Sequence, residues 1–288
     1  MNPYVILVDS ACDITPQTLA EWNVKCIPLT FRFNGEDQDY TDGEIASHAF
    51  YDRMRGGDVA KTSAINTERF RGFFEQELKL GNDVLYLGFS SGLSNTYNAG
   101  RMAARQLSEE YPDRKIIALD SLAASAGYGM LVARAAKHKA AGMSLEDVAK
   151  CFEQEKTNLC HWFTVDDLVY LKRGGRVSPT VAFVGNMLGI KPILHVDDEG
   201  HLINVTKVRG RRAAIAALAQ KYAELLRDKA DNEVFIVHGD CPEDAALLRD
   251  MLEQQHGANV TLITPVGTVI GAHSGPGTLA VFFLGSQK

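Results

Sequence analysis

The 288-residue sequence contains only five cysteines, Cys12, Cys26, Cys151, Cys160 and Cys241, with no C-x-x-C pair and no finger-like spacing. This excludes a disulfide framework and the common structural zinc sites, and leaves reduced thiols in a core. No apolar run approaches the ~18 residues of a membrane span, because even Val181 to Val196 is broken by Asn186, Lys191 and Pro192. The amino terminus lacks the basic region of a secretory signal, so Tyr4 to Asp9 reads as a buried strand and a soluble, cytoplasmic protein is expected. There is no basic block either. Thirty Lys and Arg stand against 36 Asp and Glu, a net charge of −6, so the electrostatic footprint of a nucleic-acid binder is missing. Internal repeats, low-complexity tracts, a Walker lysine and a G-x-G-x-x-G run are absent, which argues against a nucleotide as ligand.

What is there is ordinary globular composition, 45% hydrophobic and 23% charged, in a length suited to one large domain or two of usual size. In the first half, short apolar runs at 4–9, 26–33, 83–88 and 115–120 alternate with amphipathic stretches. Thr15 before Pro16, Thr41-x-x-Glu44, Asn66 before Thr67-Glu68 and Ser144-x-x-Asp147 predict helix starts. Gly56-Gly57, Gly81-Asn82 and Gly142 predict stops. This rhythm predicts a parallel α/β sheet covered on both faces.

The second half reads differently. Lys191 to Val196 and His201 to Val208 flank Asp197-Asp198-Glu199-Gly200, a β-hairpin pattern. Amphipathic helices at 211–229 and 242–255 and strands at 233–238, 260–265 and 278–284 suggest a mixed α/β sheet. Residues 1–155 and 156–288 are therefore expected to form two α/β domains.

In a parallel sheet the ligand site lies beyond the carboxyl ends of the strands. The loops expected there are rich in small hydroxyl residues: Asp9 to Asp13, Ser90 to Thr96, Asp120-Ser121 and, before a helix, Lys61-Thr62-Ser63. Hydroxyls and free helix amides make a neutral anion cradle suited to a phosphate or carboxylate, although the same residues are also common helix caps. Gly267 to Gly277 surrounds His273 with glycines, so that loop approaches something closely. Val177 to Ile190 is apolar and forms either core or the wall of a greasy cavity. Two basic clusters, 172–176 and 207–212, are either solvated surface or a dock for an acidic or phosphate-bearing partner. The other histidines show no metal-ligand spacing.

One formal catalytic motif occurs. Gly88-Phe89-Ser90-Ser91-Gly92 matches G-x-S-x-G between a strand and a helix, and Asp240 and His273 follow in the chain order of a hydrolase triad. An esterase is thus the main rival to a binding protein, and a cytosolic sugar or phosphate binder a third reading.

Several segments, in this order and spacing, resemble the DegV family of bacterial fatty-acid-binding proteins, whose members include acyl-carrier subunits of fatty acid kinase. They are Val8-Asp9-Ser10 with Asp13, Lys61-Thr62-Ser63, Ser90 to Tyr97, Asp120-Ser121, Leu168 to Val177, Lys191-Pro192 and Gly271 to Gly277. The resemblance implies a long-chain fatty acid in a tunnel between a parallel and a mixed α/β domain, with no cofactor, metal or catalytic residue. Thr62, Ser94, the Asn95 amide and His273 would hold the carboxylate. Arg176 and Arg209 would face a separate ATP-dependent kinase that forms an acyl phosphate on the bound ligand, and transient contact with a membrane surface would be allowed. The chain departs from the family pattern at Ile65, where a proline is common, and at Asn95, where a glycine is common.

Overall fold

The computed structural model describes residues 2–177 and 189–286. Strand β1 (Tyr4–Asp9) is followed by α1 (Pro16–Glu21), β2 (Val24–Ile27), β3 (Thr30–Phe33), β4 (Tyr40–Thr41), α2 (Ser47–Arg55) and β5 (Ala60–Ser63). Next come α3 (Thr67–Lys79), β6 (Asp83–Gly88), α4 (Thr96–Glu110), β7 (Ile116–Asp120), α5 (Ser125–Ala140) and α6 (Leu145–Glu155). The carboxyl-terminal half contributes β8 (Leu159–Thr164), α7 (Val169–Arg173), β9 (Ile190–Val196), β10 (Leu202–Arg209) and α8 (Arg211–Leu225). It ends with β11 (Glu233–His238), α9 (Pro242–His256), β12 (Asn259–Pro265), α10 (Thr268–Ser274) and β13 (Leu279–Leu284). Most of the apolar stretch expected between 177 and 190 lies outside the described residues.

The expected parallel sheet is present, in the order β2-β1-β6-β7 with every pairing parallel. So is the mixed sheet, ordered β10-β9-β8-β13-β11-β12, in which only β11 and β12 run parallel. The hairpin joins β9 to β10, its turn closed by the Gly200 amide on the Asp197 carbonyl at 3.0 Å.

Two expectations need correction. The run 26–33 is two strands, because Pro28 has no N–H to continue a ladder. β2 stays in the parallel sheet, while β3 turns away into a small antiparallel sheet, β4-β3-β5, which also carries Thr62. The Thr41-x-x-Glu44 signature closes a turn instead of opening a helix: Glu44 accepts from the Thr41 amide at 2.8 Å, and α2 begins only at Ser47. The other starts hold as read. Thr15, Asn66 and Ser144 each accept a first-turn amide of α1, α3 and α6, satisfying donors that a helix leaves open.

Helix α5 lies where the halves meet and is buried over nearly its whole length up to Ala136. It contacts β8, β11 and β13 on the carboxyl-terminal side and the 3-10 turn after β1 on the other. Such proximity requires residues without side chains. A Cβ on Gly127 would stand 2.6 Å from the Phe282 ring, and one on Gly129 2.6 Å from the Cys12 carbonyl. A continuous apolar core therefore joins Ile6, Val8 and Leu87 to Phe163, Val237 and Phe282, and a smaller one fills the far face of the mixed sheet.

Gly129→Ala is expected to destabilise the protein by ~1–3 kcal/mol, since the clash is with rigid backbone. Gly72→Ala, in an open position on α3, should instead add ~0.5–1 kcal/mol. Urea unfolding of both variants checks the pair; an unchanged midpoint for Gly129→Ala would refute the packing argument.

Candidate functional site

Beyond the amino terminus of α5 the two halves separate around a cavity of about 330 Å³. That is a usual size for a small-ligand pocket. Its walls are mostly apolar, with Leu29, Phe89 and Leu93 from the first half and Phe163, Leu171, Val237, Val269 and Ala280 from the second. Thr62, Ser94, Asn95, Arg176 and His273 also line it, so the structure brings all four expected ligand residues to one cavity.

Each polar group is placed by its element. Thr62 sits on β5, and its hydroxyl lies 2.8 Å from Nε2 of His273 on α10. The His273 ring packs so tightly on Gly174 that a Cβ there would overlap Nδ1. Burial, and then the charge of Arg176, push the His273 pKa down to about 4, so the ring is neutral at pH 7. Nδ1 has no hydrogen-bond partner among the described residues, and leaving a lone pair unmatched costs less than leaving an N–H unmatched. This favours the tautomer in which Nε2–H donates to Thr62, turning the Thr62 hydroxyl hydrogen toward the cavity.

Ser94 lies in the loop before α4, where its oxygen accepts from the Thr96 amide at 3.2 Å and lies 2.9 Å from the Thr96 hydroxyl. If Thr96 donates, Ser94 keeps its own proton for a ligand. None of the described residues accepts from the Asn95 amide, an open donor at the start of α4.

Arg176 completes the set. Its Nε donates to the Leu93 carbonyl at 3.1 Å and its Nη1 to the Gly174 carbonyl, yet no carboxylate of the described residues pairs with it. Burial lowers its pKa, but a guanidinium stays charged in proteins. It is a half-buried cation, unpaired among the described residues, beside neutral donors at the wall of an apolar cavity. Sequence reasoning reaches Arg176 only as part of a basic cluster on a docking face; the adjacent Gly174, which admits His273, is the one local signal of its inward position. Arg209 is elsewhere, exposed at the end of edge strand β10.

The triad is not assembled. Ser90 is wholly buried, and its hydroxyl donates to the Gly200 carbonyl at 2.9 Å, fastening the loop to the β9–β10 turn. The glycines of that motif are packing residues too. A Cβ on Gly92 would meet the Glu199 carbonyl at 2.8 Å, and one on Gly88 the Tyr97 ring at 2.8 Å. Asp240 pairs with Arg55 and His48, away from His273. With Asp52, His48 and Asp240 form the one three-residue cluster of metal-ligand type among the described residues, but the Arg55 guanidinium already contacts both carboxylates. The cysteines are free thiols. No described helix is long and apolar enough to cross a membrane.

A family model described as "Uncharacterised protein, DegV family" matches residues 3–286. This chain belongs to the DegV family. A DegV domain-containing protein of Clostridium perfringens is 42% identical over 289 residues, covering 100% of this chain and 99% of its own. A DegV lipid-binding protein of Thermotoga maritima superposes with a TM-score of 0.83 at 31% identity over 99% of both chains. A second Thermotoga maritima protein, whose structure revealed a fatty-acid-binding function, gives 0.83 at 29% identity over 99% of this chain and 100% of that one. Those two relatives are lipid- and fatty-acid-binding proteins, and the fold here is theirs.

The depressed His273 pKa has a sign. The unfolded chain takes up this proton near pH 6.5 and the folded protein only near 4, so stability falls on acidification between those values. His273→Gln should remove up to roughly 3 kcal/mol of that acid loss, measured by urea unfolding at pH 7.0 and 4.5. An identical pH profile in the variant would contradict the buried, neutral imidazole.

Proposed function

We propose that this protein binds a long-chain fatty acid in the cavity between its halves and acts as a non-catalytic carrier. The Arg176 guanidinium, paired with no carboxylate among the described residues and set with Thr62, Ser94 and His273 against an apolar cavity, is the observation that carries this reading. A carboxylate leaving water costs several kcal/mol unless its oxygens are hydrogen-bonded, and this set offers hydroxyls, the Asn95 amide and one cation. The tail contributes about 0.8 kcal/mol per buried methylene, which supplies most of the affinity. Fatty-acid binding by DegV relatives supports the assignment.

The carrier then presents the carboxylate to a separate ATP-dependent kinase that forms an acyl phosphate. Arg176, beside the head group, would meet the growing negative charge, and the exposed Arg209 would dock the partner through its acidic surface. Lipid exchange would bring the protein into transient contact with a membrane surface.

Native mass spectrometry of the purified protein, followed by organic extraction, should show one fatty acid per chain. Thr62→Val and Arg176→Leu should each weaken fatty-acid affinity about tenfold to hundredfold, the worth of a hydrogen bond to a charged group. Ser90→Ala should leave the bound lipid in place. A bare protein that also refuses added fatty acid would refute the carrier reading; wild-type affinity in both head-group variants would refute the placement of the carboxylate. With the kinase and ATP added, Arg209→Glu should slow acyl phosphate formation without changing lipid affinity.

A further inference from the structure

Strand β10 is an edge of the mixed sheet, and its outer side is open among the described residues. In the β9–β10 ladder the Asp197 amide donates to the His201 carbonyl at 2.9 Å, and at the far end the Gly210 amide donates to the Gly189 carbonyl at 2.7 Å. Bonded and non-bonded positions alternate along an antiparallel pair, so Leu202 and Asn204, opposite Val196 and Leu194, turn their amides and carbonyls away from β9. No described residue hydrogen-bonds to them there. The edge of the parallel sheet is treated differently. On β7 the Ala118 carbonyl accepts from the Tyr97 hydroxyl at 3.2 Å, and the Asp120 carbonyl from the Lys156 ammonium at 3.0 Å. An open edge is a template for another strand.

The β10 edge also carries apolar surface and a charge gradient along its length. Ile203 and Val205 are 39% and 47% exposed. At the turn end stand Asp197, Asp198 and Glu199, and at the other end Lys207 and Arg209. Asp197 is occupied in closing the turn, where it accepts from the amides of Glu199 and His201 at 3.0 and 2.8 Å, but Asp198 and Glu199 are exposed. Arg211 is paired with Asp166 and Asp244, whereas Lys207 and Arg209 meet no carboxylate of the described residues.

We propose that this edge pairs with a second copy of the chain, β10 against β10, antiparallel about a two-fold axis at Ile203, so that the two mixed sheets become one. Leu202 of each copy then faces Asn204 of the other, both with open amides and carbonyls, and the two Ile203 side chains meet in a non-bonded pair, where cross-strand neighbours lie closest. The same register carries the acidic turn of each copy to the basic end of the other, Glu199 opposite Lys207. The extra residue between Asn204 and Thr206 shifts this by one position at most, within the reach of such long side chains. A two-fold pair uses each edge once and therefore closes at two copies. The charge order selects a copy over an anionic membrane surface, which would attract Lys207 and Arg209 but repel Asp198 and Glu199.

Sedimentation velocity of the purified protein over a wide range of concentration tests this. The expected result is a monomer–dimer equilibrium that weakens as salt is raised. Glu199→Lys and Lys207→Glu should each weaken the dimer ~10-fold or more, because each sets like charges opposite one another. An equal mixture of the two variants, in which both cross-strand pairs are again of opposite sign, should recover the wild-type affinity. Ile203→Lys, at an exposed position, should abolish the dimer while leaving circular dichroism unchanged. A monomer at every concentration, a dimer indifferent to both charge reversals, or a mixture no tighter than its parts would overturn the proposal. A monomer that floats with phosphatidylglycerol vesicles would overturn it too and give the edge to a membrane surface. The readout is mass, so the outcome does not depend on what the main cavity holds.

Discussion

Gly127 and Gly129 let helix α5 press against the Phe282 ring on one side and the Cys12 carbonyl on the other, and that thickness sets the gap between the two sheets. Where the helix is present the gap is filled and a continuous apolar core runs across both halves. Where it begins, at Ala124 and Ser125, the gap opens into the main cavity. The cavity is therefore the space left when two sheets packed on one helix extend past its end.

Fixing that spacing also fixes the polar groups around it. Asp9, pushed up to about 7 by burial, accepts from the Tyr86 hydroxyl at 3.0 Å and the Phe89 amide at 3.0 Å, tying the end of β1 to the start of the Ser90 loop. Ser90 ties that loop to Gly200, and Asp42 ties the turn after β4 to the start of α10. Buried hydrogen bonds of this kind are individually modest but costly to leave unmade, so they hold the loops in one arrangement. As a result Thr62 on a small antiparallel sheet meets His273 on a short helix 211 residues later in the chain.

The electrostatics of the seam are uneven. Among the described residues Arg176 pairs with no carboxylate and Asp13 with no base, and they line different cavities. A direct ion pair between them would have neutralised the guanidinium at the wall of the main cavity.

Much of this was legible beforehand. Period, caps and turn glycines follow from neighbours a few residues apart, so the parallel sheet, the hairpin and the starts of α1, α3 and α6 could be read from the chain. The pattern of Thr62, Ser90 to Thr96 and Gly271 to Gly277 likewise marked the segments that reach the cavity. What could not be read depends on distance in space. Pro28 signals a break but not that β3 leaves for another sheet, and G-x-S-x-G looks the same whether Ser90 faces solvent or the Gly200 carbonyl. A basic cluster does not say that Arg176 turns inward, because that requires Gly174 to clear room for the ring of His273. Sequence alone determined the local elements and the residues capable of the chemistry; only tertiary packing decided which of them meet, because hydrogen-bond geometry and desolvation are set by groups far apart in the chain.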